Sequence, residues 1–565
     1  MNPLPTARLR VSRESLLFVL LLALHLALIW TFPFIPTQDG PSHQALAFIL
    51  RQYDQPGAGL LHQYYLPNRE ALPNWFVFFL MSRVLAFVSV PLAEKILLTA
   101  YVLLLPLAVR YALRAINPRA AFLAVLAFPF TYNFLFQMGF FNFCFSLAAF
   151  FFTLGFWLRS AERMTPARTA GLAVLVLWVY FCHPVTLVMT VAALLSLAAW
   201  RMLLDLRAEA EVRPALPHRP TETLLLRSES PSGRRLDRPV RKRRPWSWLL
   251  APVLACLPAL ALMASFVGRR TGAKIAMLPL WVKVKHLAGL YSLAALNRWT
   301  IPLAALLALL FYAVALLCLW ARGRRPPAKG DGLLLVAILS AAIYFAAPSD
   351  IAGGGFINHR LNLFPFLVLI LWFATFEHPA WRRRSIEIAA AGIALGFLGV
   401  FAWTYARIDA DLSEIVAAGD RVEPDHTLLF LSYAHWGMRP DGRPLVFRAA
   451  PFLHADGYIA ARKRLVDLSL YEASEDYFPV YFEPRLDPYL HLATVHLGME
   501  TSPPRIDLLG YMRRTGARVD YVLLWGLLPQ QCREPLVRET LREIDSRYGL
   551  VYASANGRVR LFRSR

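Results

Sequence analysis

Over the first 405 residues, long runs without charged side chains alternate with short basic clusters. Ser15–Phe34 and Trp246–Val267 contain no Asp, Glu, Lys or Arg. Each matches the roughly 20 apolar residues that carry a helix across a bilayer. Further apolar segments fall at 72–90, 92–113, 120–135, 140–158, 169–182, 185–203, 246–267, 300–321, 332–348, 359–377 and 385–405. Two stretches are too long for one span. No acid or base lies between Arg119 and Arg159, and at ~1.5 Å per residue that run is almost twice the ~30 Å hydrocarbon layer. A break is predicted at Tyr132–Asn142, where Asn133, Gln137, Gly139 and Asn142 gather. Between Arg168 and Arg201 the one ionisable group is His183, and Pro184 ends a helix there. Two spans are expected to meet at that dipeptide, while His25 in the first span reads as a satisfied interhelical residue.

The pattern changes after residue 405. Short β-rich runs (Thr427–Ser432, Tyr477–Phe482, Tyr521–Trp525, Leu550–Ala553, Val559–Phe562) alternate with helical stretches at Ile459–Leu470 and Pro535–Tyr548. That mixture predicts a small α/β domain over 406–565. The fold expected is an α-helical polytopic membrane protein with about 11–13 transmembrane helices in 1–405, followed by this soluble domain. His454, Asp456 and Asp467 read as surface or capping residues of the domain.

Composition narrows the class. The chain is 57% apolar and 17% charged, with mean hydropathy +0.44, against a charged quarter in soluble domains. Apolar runs of this length exclude a soluble nucleic-acid binder despite the net charge of +23, and a disordered or collagenous chain as well. The five cysteines are scattered and show neither disulfide nor metal-ligand spacing. All the excess charge belongs to 1–405, with 39 Lys/Arg against 16 Asp/Glu; residues 406–565 hold 21 of each.

Positive-inside reasoning then assigns sides. The basic clusters at 8–13, 110–119, 159–168, 201–244, 322–329 and 382–384 are expected in the cytoplasm. Arg8, Arg10 and Arg13 precede an uncleaved first span, so the N-terminus is cytoplasmic. Residues 205–245, with eleven Lys/Arg and six Asp/Glu, read as a disordered basic cytoplasmic loop that orients its flanking helices. Loops at 35–71, 132–142, 183–184, 268–299 and 349–358, and everything after 405, are expected outside the inner (plasma) membrane. Opposite termini need an odd number of crossings, so 72–113 must cross once although it is long enough for two spans.

Three external segments carry candidate chemistry. Pro36-Thr37-Gln38-Asp39-Gly40-Pro41-Ser42-His43-Gln44 follows the first span directly. A carboxylate at the membrane boundary is placed to take a proton from an acceptor hydroxyl or amine, and burial can tune its pKa. His43, four residues on, could orient Asp39 or help hold a metal. Against this stands turn chemistry at Asp39-Gly40-Pro41, with Ser42 as the cap of a helix from Ala45. The second segment, 268–299, carries Arg269, Arg270, Lys274, Lys283, Lys285 and Arg298 and no acid. Such a loop on the outer side suits an anionic ligand such as a lipid phosphate, or it reflects ordinary headgroup contact. The third is Gly353-Gly354-Gly355-Phe356-Ile357-Asn358-His359-Arg360. There Arg360, with His359 beside it, sits at the start of a span where backbone N–H groups favour anions.

The arrangement resembles the GT-C class of membrane glycosyltransferases, which includes protein mannosyltransferases and aminoarabinose transferases. The resemblance lies in Asp39 in the first external loop, the many-span body, Arg360 before the Pro365-containing span, and the soluble C-terminal domain. It implies transfer of a sugar from a polyprenyl-phosphate carrier to a glycan, lipid or protein acceptor on the outer face. Asp39 would be the base, and Arg360 with His359, Arg269, Arg270 and Lys274 would contact the donor phosphate. The sequence departs from that pattern in having Gly40 beside Asp39, where many members carry a second acid. A divalent metal ion is the one cofactor left open, with Glu70 and Asp350 as candidates for a further acid. The alternatives are a transporter or flippase of lipid-linked or anionic substrates, and a non-catalytic membrane assembly protein on the same scaffold.

Overall fold

The computed structural model describes residues 13–212, 245–269, 275–351, 354–439, 441–493 and 505–565. Most of the 205–245 linker therefore lies outside the described residues. Helix α1 (Arg13–Thr31) is followed by α2 (Gly40–Gln52), α3 (Gly59–Tyr64), strand β1 (Tyr65–Pro67), α4 (Phe76–Val84) and α5 (Val90–Ile116). The region read as 72–113 thus yields one short helix and one long one, and only α5 is long enough to cross a bilayer.

The apolar segment at 120–135 forms no continuous α-helix. Residues Pro118–Phe130 form a 3₁₀ helix, buried from Ala120 to Phe130 and packed against α1, α5 and the last long helix. At ~2.0 Å per residue its thirteen residues cover about 26 Å, so a short sequence spans most of the bundle. The break after it falls where the polar residues gather. Asn133 caps the single turn α6 (Phe134–Gln137) by accepting from the Leu135 and Phe136 amides.

The bundle continues with α7 (Phe141–Ser160), α8 (Pro166–Cys182) and α9 (Pro184–Val212). His183 separates α8 from α9, and its Nδ1 accepts from the Val185 amide at 3.2 Å. Gly155 lets α7 pack closely on α5, because a side chain there would overlap Tyr111. Then come α10 (Ser247–Gly268), α11 (Leu280–Ala288), α12 (Thr300–Arg322), α13 (Asp331–Ala346), α14 (Ile357–Phe373) and α15 (Ala380–Ala417). Seven helices (α1, α5, α7, α9, α10, α12 and α15) are long and apolar enough to cross a membrane, and four shorter apolar helices accompany them. Exposed Leu250, Leu254, Leu257, Leu309, Leu316 and Trp320 line the outer faces of α10 and α12, a surface suited to an apolar surrounding.

Helix α15 runs unbroken through residue 405, where the composition changes. Its 38 residues measure about 57 Å and lead into a five-stranded sheet. Strands β2 (Thr427–Ser432), β3 (Val466–Asp467), β5 (Tyr521–Trp525), β6 (Tyr548–Ala553) and β7 (Val559–Ser564) lie in the order β3-β2-β5-β7-β6. The three on one side are parallel, and β7 and β6 are antiparallel. Helices α16 (Gly457–Lys463), α17 (Pro488–His491), α18 (Leu508–Thr515) and α19 (Pro535–Arg547) complete the domain. Strand β4 (Val480–Phe482) leaves this sheet and pairs instead with β1 of the first loop, Tyr65 opposite Phe482 and Pro67 opposite Val480. Helix α16 packs on α2, where Gly457 leaves room for the Pro41 carbonyl. The α/β domain is thereby stitched to the loop that follows α1.

Candidate functional site

The loop after α1 folds inward. Residues Phe34–Ile49 are buried, so the segment is no surface turn. Two backbone bonds clamp it to the α6 turn: Gln38 N donates to Gln137 O (2.9 Å) and Asp39 N to Met138 O (3.1 Å). Gly139, at φ +85°, makes the approach possible, since a Cβ there would lie 2.8 Å from Gly40 N and 2.9 Å from Asp39 N.

Asp39 is only 2% exposed. Its Oδ1 accepts from Gln38 Nε2 (3.0 Å) and its Oδ2 from the Tyr471 hydroxyl (3.3 Å). His454 Nε2 stands 3.9 Å from Oδ1. Gln38 is itself fixed by the Ala450 amide, which donates to its Oε1 at 3.0 Å. Loss of water pushes the Asp39 pKa up to about 7, and the two hydrogen bonds restrain the rise. The carboxyl is thus poised to exchange a proton near neutrality.

His43 does not orient Asp39, a correction of the sequence reading. Its backbone N–H bonds the Asp39 carbonyl at 2.9 Å, but its ring faces away. Nε2 lies 3.8 Å from Glu472 Oε1, and the ring meets Phe78 and Phe141 edge-on. Burial drives its pKa down to about 3, so the imidazole is neutral. Ser42 is likewise inside α2 and not its cap. Its hydroxyl lies between the Asp39 carbonyl (2.8 Å) and Glu472 Oε1. Burial and the Asp39 carboxylate raise the Glu472 pKa well above the carboxylate range. A protonated Glu472 can donate to the Ser42 oxygen, whose own hydroxyl hydrogen then bonds the Asp39 carbonyl.

Asp456, Asp467 and His454, read from sequence as surface or capping residues, are buried here as well. Asp467 Oδ1 accepts from the Ser469 amide at 2.8 Å, whereas neither Asp456 oxygen has a donor. Burial lifts both, Asp467 to about 6 and Asp456, with the Asp467 charge beside it, well above its usual range. Among the described residues no Lys or Arg pairs with Asp39, Asp456, Asp467 or Glu472.

The cations lie over the rings of Phe134 and Phe140, in and just after the α6 turn. The Arg360 guanidinium lies 4.7 Å over the Phe140 ring and donates to the Gly355 carbonyl, while its buried Nε has no partner. His359 packs edge-on against Phe134 and stacks on His286. Arg448, from the loop after β2, lies over Phe134 (3.9 Å) and Tyr291 (4.1 Å). Its Nη1 donates to the Tyr291 carbonyl (2.7 Å), and its Nη2 is 3.4 Å from both ring nitrogens of His359. Burial lowers the Arg448 pKa to about 10, leaving it charged at neutral pH. Burial and the Arg448 charge bring His286 down to about 4.

The basic loop 268–299 divides differently than expected. Arg269 pairs with Glu70, and Arg270 and Lys274 lie outside the described residues. Lys283 is buried and donates to the Phe345 and Ala347 carbonyls at the end of α13 (2.9 and 2.7 Å), a helix-terminus role and not an open anion site. Lys285 and Arg298 are exposed. Neither Glu70, held by Arg269, nor Asp350 joins Asp39, and no metal-ligand set of three His, Cys, Asp or Glu side chains is assembled among the described residues.

Asp39, His359 and Arg360 are therefore gathered around one turn. Sequence reasoning missed Tyr471, Glu472 and Arg448, which no local motif marks; only a fold that returns the C-terminal domain to the first loop brings them there. No family model and no curated protein matches this sequence.

Proposed function

We propose that the protein is an integral membrane glycosyltransferase of GT-C-like architecture. It would move a sugar from a polyprenyl-phosphate carrier to an acceptor on the outer face of the inner (plasma) membrane. The observation that carries this reading is the division of charge about the α6 turn. A carboxyl whose pKa burial raises to about 7 is clamped to it through Met138, and the guanidiniums of Arg360 and Arg448, in no ion pair among the described residues, lie over Phe140 and Phe134.

Such a reaction needs three things: a base for the acceptor, cations for the departing phosphate, and a site at the lipid boundary. Asp39 takes the acceptor proton as the acceptor oxygen or nitrogen bonds the sugar's anomeric carbon. The bond from that carbon to the phosphate oxygen breaks, and the carrier phosphate leaves with the electron pair toward Arg360. If all seven long and four short apolar helices cross, the number is odd. The N-terminus is then cytoplasmic and the α/β domain outside, in agreement with the basic clusters.

The test is transfer from a panel of radiolabelled polyprenyl-phosphate sugars in membranes carrying wild-type or Asp39→Asn protein. Wild type is expected to label an acceptor, and Asp39→Asn to lose at least 100-fold, the usual scale of general-base catalysis. Undiminished transfer by the variant overturns the base assignment. A flippase reading would draw on Glu94, buried near the start of α5. The same assay separates the two, since a flippase relocates label without forming a product.

A further inference from the structure

We propose that the crevice between α5 and α8, floored by α7, holds one acyl chain of an anionic phospholipid, with the lipid phosphate at Arg159. The site lies on the flank of the bundle and is independent of the transferase reading.

Helices α5 and α8 both pack on α7 and scarcely on each other. Between them runs a groove of about 410 Å³, lined by Tyr111 of α5, Phe152 and Phe156 of α7, and Leu175 and Trp178 of α8. All five are half-buried, so the lining is neither sealed core nor plain outer surface. Two of the rings rest on glycines. A Cβ at Gly155 would stand 2.5 Å from the Tyr111 ring, and one at Gly171 would stand 3.3 Å from Phe156. Side chains there would displace both rings, so the glycines set the shape of the walls.

The two ends of the groove differ. One is closed by the start of α4, where Phe76 packs on Trp178 at 5.9 Å and the Trp75 amide donates to the Phe181 carbonyl (2.9 Å). Bases stand at the other. The Arg159 guanidinium lies 4.3 Å over the Tyr111 ring. Arg114 follows Tyr111 by one turn on the same face of α5, and Arg163 and Arg168 occupy the turn into α8. The acid of that turn, Glu162, is already held by Arg201 (3.1 Å) and Lys329 (2.6 Å). Among the described residues, Arg114, Arg159 and Arg163 pair with no carboxylate.

The dimensions suit one lipid chain and not a further helix. From Pro166 to Trp178, α8 rises ~18 Å, about one leaflet of a ~30 Å hydrocarbon layer. A helix is ~10 Å across with its side chains and needs the full thickness to cross. An apolar slot one leaflet deep, with cations at its mouth, matches a phospholipid whose tail fills the slot and whose phosphate meets Arg159.

The full-length protein, purified in detergent, is photolabelled with phosphatidylglycerol carrying a diazirine in one acyl chain, and the labelled peptides are read by mass spectrometry. Label is expected in the α7 and α8 peptides that hold Phe152, Phe156, Leu175 and Trp178. Unlabelled phosphatidylglycerol should compete about fivefold better than phosphatidylcholine, the effect of one base near a charged membrane surface, and Arg159→Gln should abolish that preference. Leu175→Trp should fill the slot and cut the labelling severalfold, whereas Leu309→Trp, on the exposed face of α12, should leave it unchanged. Label spread evenly over the exposed apolar helices of the wild-type protein, where folding is not in question, overturns the site. Equal competition by phosphatidylcholine, or a preference that survives Arg159→Gln, overturns the placement of the phosphate. Stronger competition by geranylgeranyl phosphate than by phosphatidylglycerol overturns the phospholipid assignment.

Discussion

Asp39→Asn is expected to make the protein more stable at neutral and alkaline pH while it stops transfer. The native carboxyl has its pKa raised from an ordinary 3.8 to about 7, chiefly because it is buried. Between those two values the folded state holds a proton that the unfolded chain has released. Stability therefore falls as pH rises through this window and levels off above about pH 7. A shift of about three units at ~1.4 kcal/mol each makes the full loss about 4 kcal/mol. Asparagine has the same shape and no charge. Its Oδ1 still accepts from Gln38 and its Nδ2 can donate to the Tyr471 oxygen; the Tyr471 hydroxyl hydrogen loses the carboxylate as acceptor, at a cost of ~1–3 kcal/mol that is smaller than the charge penalty removed. Thermal unfolding of wild type and Asp39→Asn in detergent, followed from pH 4 to 8.5, checks this. The two midpoints should coincide near pH 4 and separate progressively, with the variant melting higher by a few degrees at pH 8. A variant that melts lower at pH 8, or a gap that ignores pH, refutes the view that an uncompensated buried charge sits at position 39.

Three further outcomes follow from the same geometry. Tyr471→Phe removes a hydrogen bond that holds the Asp39 pKa down, so the acid limb of the transfer–pH profile should move to higher pH, and an unmoved limb would show that Tyr471 does not act on the carboxyl. Gly139→Ala puts a Cβ against Asp39 N and Gly40 N at a backbone φ of +85°; it should cost well over ~1 kcal/mol and lower the yield of folded protein, whereas near-wild-type melting would deny the close approach. Lys283→Met strands the Phe345 carbonyl and leaves the Ala347 carbonyl only its 3.4 Å bond from Asn358; a loss of ~1–3 kcal/mol in stability is expected, with transfer per folded molecule retained, and a transfer defect without a stability defect would return this lysine to the site.

Legibility in the sequence followed the range of the interactions. The break at Asn133–Gly139 and the one at His183-Pro184 could be read because capping, positive φ and proline act within a few residues. The 3₁₀ segment at Pro118–Phe130 could not, since its apolar composition also suits an α-helix and only its packing against α1, α5 and α15 favours the longer rise. Asp39 was recognisable as a carboxyl just past a span, but its partners Tyr471 and Glu472 lie more than 400 residues away in the chain. Asp456 and Asp467 were read as surface residues because acids are seldom buried without a base. Lys283 was counted among ligand bases because a helix end at Ala347 cannot be seen from residue 283.

The α/β domain belongs to the chemistry of the proposed site. Three attachments surround Asp39: the β1–β4 pairing, the α2–α16 contact and the Leu296–Phe447 backbone pair. They bring Tyr471 and His454 of the domain to the carboxyl itself and Glu472 to Ser42 beside it. Desolvation is the main cause of its raised pKa, and the domain, whose Tyr471 and His454 lie against the carboxyl, contributes to it. If the domain were loosened, water would return the carboxyl toward an ordinary 3.8, about three units less basic. A general base works best with a pKa near the operating pH, and a loosened domain would weaken it most where the protein operates. Variants that open the β1–β4 seam, such as Leu66→Pro, should therefore shift the acid limb of transfer downward in pH and lower its plateau. A seam variant that lowers the plateau but leaves the limb near pH 7 would show that the domain does not tune Asp39.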